Sequence, residues 1–117
     1  MEFRWVSLHV GNLERSLGFY HEVLGLPIGR RIEGDHRIIF LGREGGPMVE
    51  LIEEGAVVPG AGKGISFGFG VPDLEGFMAA IRERTDAPVT GPISPNPQTT
   101  FYFVTDPDGY QIQLLRQ

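Results

Sequence analysis

The chain has 117 residues, enough for one compact domain and too few for two ordinary ones. Its formal net charge is -5, from 15 acidic and 10 basic residues, and no basic run is longer than Arg30-Arg31, which excludes the basic stripe of a nucleic-acid surface. Apolar residues make up 41% and charged residues 21%, a globular mix, and the absence of cysteine excludes disulfides, thiolate metal sites and a cysteine nucleophile. No apolar run approaches the roughly 18 residues of a membrane span. The opening MEFRWVSLHV is strand-like, without the apolar region of a signal peptide, so a cytoplasmic protein is expected.

Residues 5–25, WVSLHVGNLERSLGFYHEVLG, read as a strand, a turn and an amphipathic helix. Trp5, Ser7 and His9 recur at period two and share one strand face. Asn12 stands at the helix N-cap, where its side-chain oxygen can accept from the first unpaired backbone N–H groups. Leu13, Leu17, Tyr20 and Leu24 form an apolar stripe at helical spacing. Gly25 is a left-handed stop, and Pro27 prevents resumption. Residues 27–33 can make a short strand and residues 37–41, RIIFL, make a clearer one. Residues 42–47 turn, and residues 48–53, MVELIE, are the next strand. Residues 54–64, EGAVVPGAGKG, read as a linker.

The pattern then restarts. SFGFGVPDLE, residues 66–75, lies under WVSLHVGNLE, residues 5–14: Val71 matches Val10, Asp73 matches Asn12, Leu74 matches Leu13 and Glu75 matches Glu14. Asp73 is again an N-cap, and Leu74, Phe77, Met78 and Ile81 form the helical stripe, closed by residues 85–88. Residues 91–98, GPISPNPQ, read as a Pro-rich loop. Residues 100–104 are a strand. DPDG, residues 106–109, is a tight turn in which Pro107 presets φ and Gly109 accepts positive φ. Residues 111–115 are the final strand. The order is β-α-β-β-β, twice. One such unit leaves a sheet face uncovered, so two are expected to pack as a single domain over residues 1–117, with module one at 1–53 and module two at 65–117.

The stretches NLERSLGFYHEVLGL, PDLE and DPDGYQIQLL resemble the vicinal-oxygen-chelate superfamily, which includes glyoxalase I, bleomycin-resistance proteins, fosfomycin-resistance proteins and extradiol dioxygenases. The resemblance implies an α+β fold of two paired βαβββ modules whose sheets curl into a cleft, often completed by a homodimer. It also implies up to four metal ligands, typically His and Glu, on the cleft face. The corresponding positions here are Trp5, Glu50, Ser66 and Gln113. Indole offers no lone pair, and a serine hydroxyl and an amide oxygen are weak neutral ligands for a transition metal. No metal or other cofactor is therefore expected.

Several residues carry two readings. His9 is either a hydrogen-bonding or acid–base group beside Glu50 or a histidine satisfied in the wall. Glu50 shares its strand face with Met48 and Ile52, and Val49 and Leu51 take the other. It is expected to line the cleft within reach of His9, beside Trp5 and Gln113, with a donor partner or a raised pKa. Its other reading is a relic of the metal site, satisfied by His9 or Arg contacts. Trp5 either plugs the vacated metal cavity or stacks on a flat or cationic ligand. Phe40 is core by default and a ligand contact in the functional reading. In FYF, residues 101–103, either Tyr102 or the two phenylalanines look into the cleft. Gly68 and Gly70 alternate with Phe67 and Phe69 and, with Ser66, leave a shallow floor. His21, taken as solvent-facing, and His36 carry no assigned role. The expected ligand set is Trp5, Ser7, His9, Phe40, Glu50, Ser66, Tyr102 and Gln113, and the expected partner is a small organic molecule that is sequestered. The alternatives are a metal-free lyase or isomerase using Glu50 and His9 as base and acid, a divergent metal enzyme, and a purely structural partner domain.

Overall fold

The computed structural model describes residues 1–117, which divide into two compact units, Met1–Ala61 and Gly62–Gln117. In the first unit, β1 (Trp5–Val10) leads through Asn12 into α1 (Leu13–Leu17), followed by β2 (Ile28–Ile32), β3 (Ile38–Leu41) and β4 (Met48–Glu53). The sheet order is β1-β4-β3-β2, with β1 parallel to β4 and the other pairs antiparallel. A strand followed by a helix must return to the same sheet in parallel, and hairpins then add the remaining strands antiparallel.

The Asn12 side chain accepts from the Arg15 N–H at 2.9 Å, and Glu53 at the end of β4 accepts from the Leu13 N–H at 2.9 Å. Two of the helix's orphan donors are thus satisfied, one by the cap and one by the sheet. Arg37 reaches Glu53 at 3.3 Å and also binds Glu14 on α1. The hydrogen bond from Arg37 holds the Glu14 carboxyl below its usual range. Leu13 (1% exposed) and Tyr20 (0%) pack under the sheet with Leu8, Val10, Ile39, Leu41 and Leu51. A side chain such as Leu13 contributes about 1.5–3 kcal/mol when fully buried.

The first helix is not α-helical throughout. From Gly18 to Val23 it widens into a π-helical stretch, in which the Leu24 N–H reaches the Phe19 carbonyl five residues back at 2.9 Å. The widening brings Phe19, Tyr20 and Val23 all into the core, more than a 3.6-residue stripe would bury. Gly25 ends it at φ +83, donating to the His21 carbonyl. His21, expected to face solvent, is half-buried with its Nδ1 on the Leu26 carbonyl at 2.7 Å, so it belongs to this helix stop.

The second unit repeats the plan with β5 (Ser66–Val71), α2 (Leu74–Arg84), β6 (Val89–Asn96), β7 (Thr99–Thr105) and β8 (Gln111–Arg116), in the order β5-β8-β7-β6. Asp73 caps α2, accepting from the Gly76 N–H at 3.1 Å. Leu74, Met78 and Ile81 are buried with Val104, Ile112 and Leu114. In the Asp106–Gly109 turn, Asp106 Oδ1 accepts from the N–H groups of Asp108, Gly109 and Tyr110, and Gly109 has φ +105.

Residues 91–98 are a correction to the sequence reading. They lie largely within strand β6, not in a loop. β6 is the sheet edge, where a proline's missing N–H faces no partner, and its pairing with β7 shifts register between Thr90 and Ile93 and again between Ile93 and Asn96. Edge position and bulges are the two settings in which a strand tolerates Pro92 and Pro95.

Gly62 has φ +81, and a methyl group there would lie 2.3 Å from the Gly109 carbonyl oxygen. Gly64 has nearly the same φ, +80, with nothing within 4 Å. Gly64→Ala should therefore cost about 1–2 kcal/mol for the left-handed backbone alone. Gly62→Ala should cost clearly more, because backbone must move. Urea unfolding of the two variants side by side reads the difference, and equal costs would show that the Gly62–Gly109 approach is not a constraint.

Candidate functional site

Each sheet has one face under its helix and one face away from it. Strand register decides which residues share the far face. In the first unit Trp5 pairs with Met48, Ser7 with Glu50, and His9 with Ile52, while Phe40 pairs with Glu50 on one side and Arg30 on the other. The far face thus carries Trp5, Ser7 and His9 from β1, Glu50 from β4, Phe40 from β3 and Arg30 from β2.

Phe40 is the floor of this face, 3% exposed. The Trp5 and Phe40 rings make a T-shaped pair, with centroids 5.3 Å apart and planes at 82°. The Arg30 guanidinium lies 4.4 Å above the Phe40 centroid. Both are geometries that the ring's negative face favours. Trp5 itself is 44% exposed. It covers Phe40 on one side and presents the rest of its indole outward. Beside them, the Ser7 hydroxyl donates to Glu50 Oε1. The half-buried carboxylate has the donor that its position requires. His9 pairs through Nδ1 with Glu54. The expected Glu50–His9 pair is therefore replaced by two separate pairs, since Ser7 is the register partner of Glu50 and His9 lies two residues further along β1. A cavity of about 200 Å³ opens next to this face, with Trp5, Arg30, Met48 and the 44–47 turn in its lining.

In the second unit Ser66 pairs with Gln111, Gly68 with Gln113, Phe103 with Gln113 and Phe101 with Leu115. These residues share the far face, and Phe101 and Phe103 meet edge-to-face at 5.5 Å. Tyr102 is a correction to the expected ligand set. It is on the helix face, 2% exposed, its hydroxyl donating to Glu75 of α2 at 2.8 Å beneath Arg82. That hydrogen bond, and then burial, raise the Tyr102 pKa. The alternation left open in FYF resolves toward the two phenylalanines. The glycine floor is partly roofed, because a methyl at Gly68 would lie 2.9 Å from Leu115 Cδ1 and 3.2 Å from Gln113 Oε1. An open cavity of about 440 Å³ is lined by Ser66, Phe103, Gln111, Ile65, Gly62 and Gly64.

These residues do not fit a resident transition metal. The four positions implied by the resemblance hold an indole engaged with Phe40, a carboxylate engaged with Ser7, a hydroxyl and an amide. No group of three or more His, Cys, Asp or Glu side chains gathers to hold an ion. Two residues of the first face escaped the sequence reading. Arg30 reads in the sequence only as half of a basic pair, and the register shift between Ile28 and Arg30 breaks the β2 alternation that would have placed it opposite Phe40. Glu54 was assigned to the linker, although it extends the alternation of Glu50 and Ile52.

The family model described as Glyoxalase/Bleomycin resistance protein/Dioxygenase superfamily matches residues 2–114. A Haemophilus influenzae protein named lactoylglutathione lyase is 33% identical, with 98% of this chain and 92% of that protein covered. Among solved structures, a glyoxalase I of Leishmania major, described as trypanothione-dependent, superposes with a TM-score of 0.82 at 27% identity, covering 99% of this chain and 86% of that one. An antibiotic binding protein from Streptomyces sp. CB03234 superposes with a TM-score of 0.80 at 23% identity, covering 99% and 95%, a likeness of fold. No helix of the chain is long and apolar enough to cross a membrane.

The two aromatic residues of the first face should respond differently to truncation. Phe40→Ala removes a nearly fully buried ring and should cost about 3–5 kcal/mol in urea unfolding. Trp5→Ala removes a ring only about half of which is buried and should cost roughly half as much, about 1.5–2.5 kcal/mol. A Trp5→Ala cost as large as that of Phe40→Ala would make Trp5 a structural plug and remove it from the ligand surface.

Proposed function

Because the chain belongs to the Glyoxalase/Bleomycin resistance protein/Dioxygenase superfamily, we propose that it binds a small organic molecule on its far sheet faces and holds it without a metal. The single observation that carries this reading is the first-unit face itself. At a position where the family resemblance implies a metal ligand, Trp5 packs in a T-shape with Phe40 and leaves part of its indole exposed. Glu50, at the other, is satisfied by Ser7 instead of by an ion. The exposed indole of Trp5, backed by the buried Phe40 ring and standing beside a hydrogen-bonded carboxylate, is a surface for a flat, polar-edged molecule, and Phe40, expected among the ligand contacts, supports that surface from below. In the second unit Phe101, Phe103, Gln111 and Ser66 offer the same mixture of ring surface and neutral hydrogen-bonding groups. The chain's residues orient and desolvate the ligand, and none of this requires a bond to be broken. A cytoplasmic location remains part of the proposal.

A second reading has its own support. The relatives named lactoylglutathione lyase make an enzyme the alternative, with Glu50 as a base that Ser7 positions and His9 as an acid. Formation of lactoylglutathione by the purified protein, assayed with and without added divalent ions, separates the two.

Protein purified without chelator should carry far less than one equivalent of zinc, nickel, iron or manganese, and a thermal-shift screen of metabolites and antibiotics should give organic hits while divalent ions give none. One equivalent of metal lost together with Glu50→Gln, or turnover that needs an ion, would overturn the binding reading.

The proposal includes a homodimer, because a sheet face of a module needs an opposing surface to enclose a ligand, supplied by pairing within the chain or with a partner, and the resemblance implies that many single-domain members pair across chains. Light scattering at micromolar concentration should give twice the mass of the 117-residue chain, and a monomeric mass would refute it.

A further inference from the structure

Four residues of the first face form one row across the sheet. Arg30 on β2 is in register with Phe40 on β3, Phe40 with Glu50 on β4, and Glu50 with Ser7 on β1. The row reads cation, aromatic ring, anion, hydroxyl. Neighbouring strands lie about 4.8 Å apart, so the backbones carrying Arg30 and Glu50 are separated by about 9.6 Å, and the Arg30 side chain reaches back over the intervening Phe40 ring.

The two charges are positioned by neutral groups. Arg30 lies on the Phe40 ring and joins none of the chain's ion pairs. Held over the ring, the guanidinium has a planar fork of N–H donors, two of which a carboxylate can receive. Glu50 is fixed by the Ser7 hydroxyl on Oε1, which leaves Oε2 for a ligand. Stacking and a hydroxyl bond each set a side chain's direction without cancelling its charge. Both ends of the row are therefore preorganised and still charged, the condition under which a ligand's own charges gain most.

We infer that this face selects a small amphoteric ligand, a molecule whose flat apolar part lies against the exposed indole of Trp5 and which carries an anionic group for Arg30 and an ammonium or similar cationic donor for Glu50. The inference rests on the small-molecule reading above and narrows it to a ligand class. The pattern also selects against simpler molecules. A ligand bearing only negative charge meets Glu50, and one bearing only positive charge meets Arg30, so a single-charge molecule satisfies one end and is repelled at the other. Trp5 and Arg30 also line the neighbouring cavity, which gives room for a substituent extending past the anionic end.

The test is isothermal titration with three probes of one shape: para-aminomethyl benzoate, which carries both charges, para-methyl benzoate and para-methyl benzylamine. The wild type should bind the amphoteric probe about tenfold or more tighter than either relative, the scale of one charge-assisted hydrogen bond. Arg30→Gln should erase the advantage over the amine, and Glu50→Gln the advantage over the benzoate. The inference is overturned if the wild type shows no preference among the probes, or if both variants bind the amphoteric probe as the wild type does. If all three probes bind alike and Trp5→Ala weakens them equally, the amphoteric assignment fails while the small-molecule reading stands. If no probe binds, the amphoteric assignment fails too, and the metabolite melting screen then decides the small-molecule reading by itself.

Discussion

Everything in each module hangs on a held helix start. A helix of five α-helical residues, such as Leu13–Leu17, has no stability of its own. It forms because Asn12 and Glu53 take its first N–H groups and because Leu13 and Tyr20 are buried against the sheet. The second module solves the same problem with Asp73 and Leu74. In both, the glutamate after the leucine ties helix to strand, Glu14 through Arg37 and Glu75 through Tyr102. Each sheet thereby acquires one committed face, and the residues of the other face are released from packing the helix.

That release explains what sequence could show and what it could not. The β-α-β-β-β order was legible twice over, because Asn12/Asp73, Leu13/Leu74 and Glu14/Glu75 have jobs that only those residue types perform at those spacings. Strand β6 was not legible, since Pro92 and Pro95 argue against a strand unless the strand is known to be an edge, and edge position is a tertiary fact. The π-helical stretch was hidden for a related reason. Its burial of three residues in five follows from packing, not from the periodicity of Leu13, Leu17, Tyr20 and Leu24.

The site was legible by face but not by partner. Period-two alternation placed Trp5, Ser7, His9 and Glu50 together, and the structure joins Ser7 to Glu50 and His9 to Glu54. Which side chains meet depends on strand register, and a parallel β1–β4 pairing through a helix leaves no local signal of that register. The same gap hid Arg30, whose importance comes only from lying over Phe40. Tyr102 is the converse case. Alternation guaranteed that it and its phenylalanine neighbours would face opposite ways, and only the hydroxyl's bond to Glu75 decided which way.

The departures from a metal-binding donor set are mutually consistent. Removing an ion from a cluster of carboxylates and imidazoles would leave partly buried charges without compensation, an expensive state. Here the retained carboxylate, Glu50, has a hydroxyl donor from its own register partner. The position of the other carboxylate is an amide, Gln113, nearly the same in volume and without charge. The other two positions that the resemblance gives to metal ligands hold Trp5, packed in a T-shape with Phe40, and Ser66, small and neutral. Each change removes a charge-dependent group or supplies a neutral partner, so the face is stable as it stands. On the proposed reading, the charges of this face that remain for a ligand are Glu50 and Arg30.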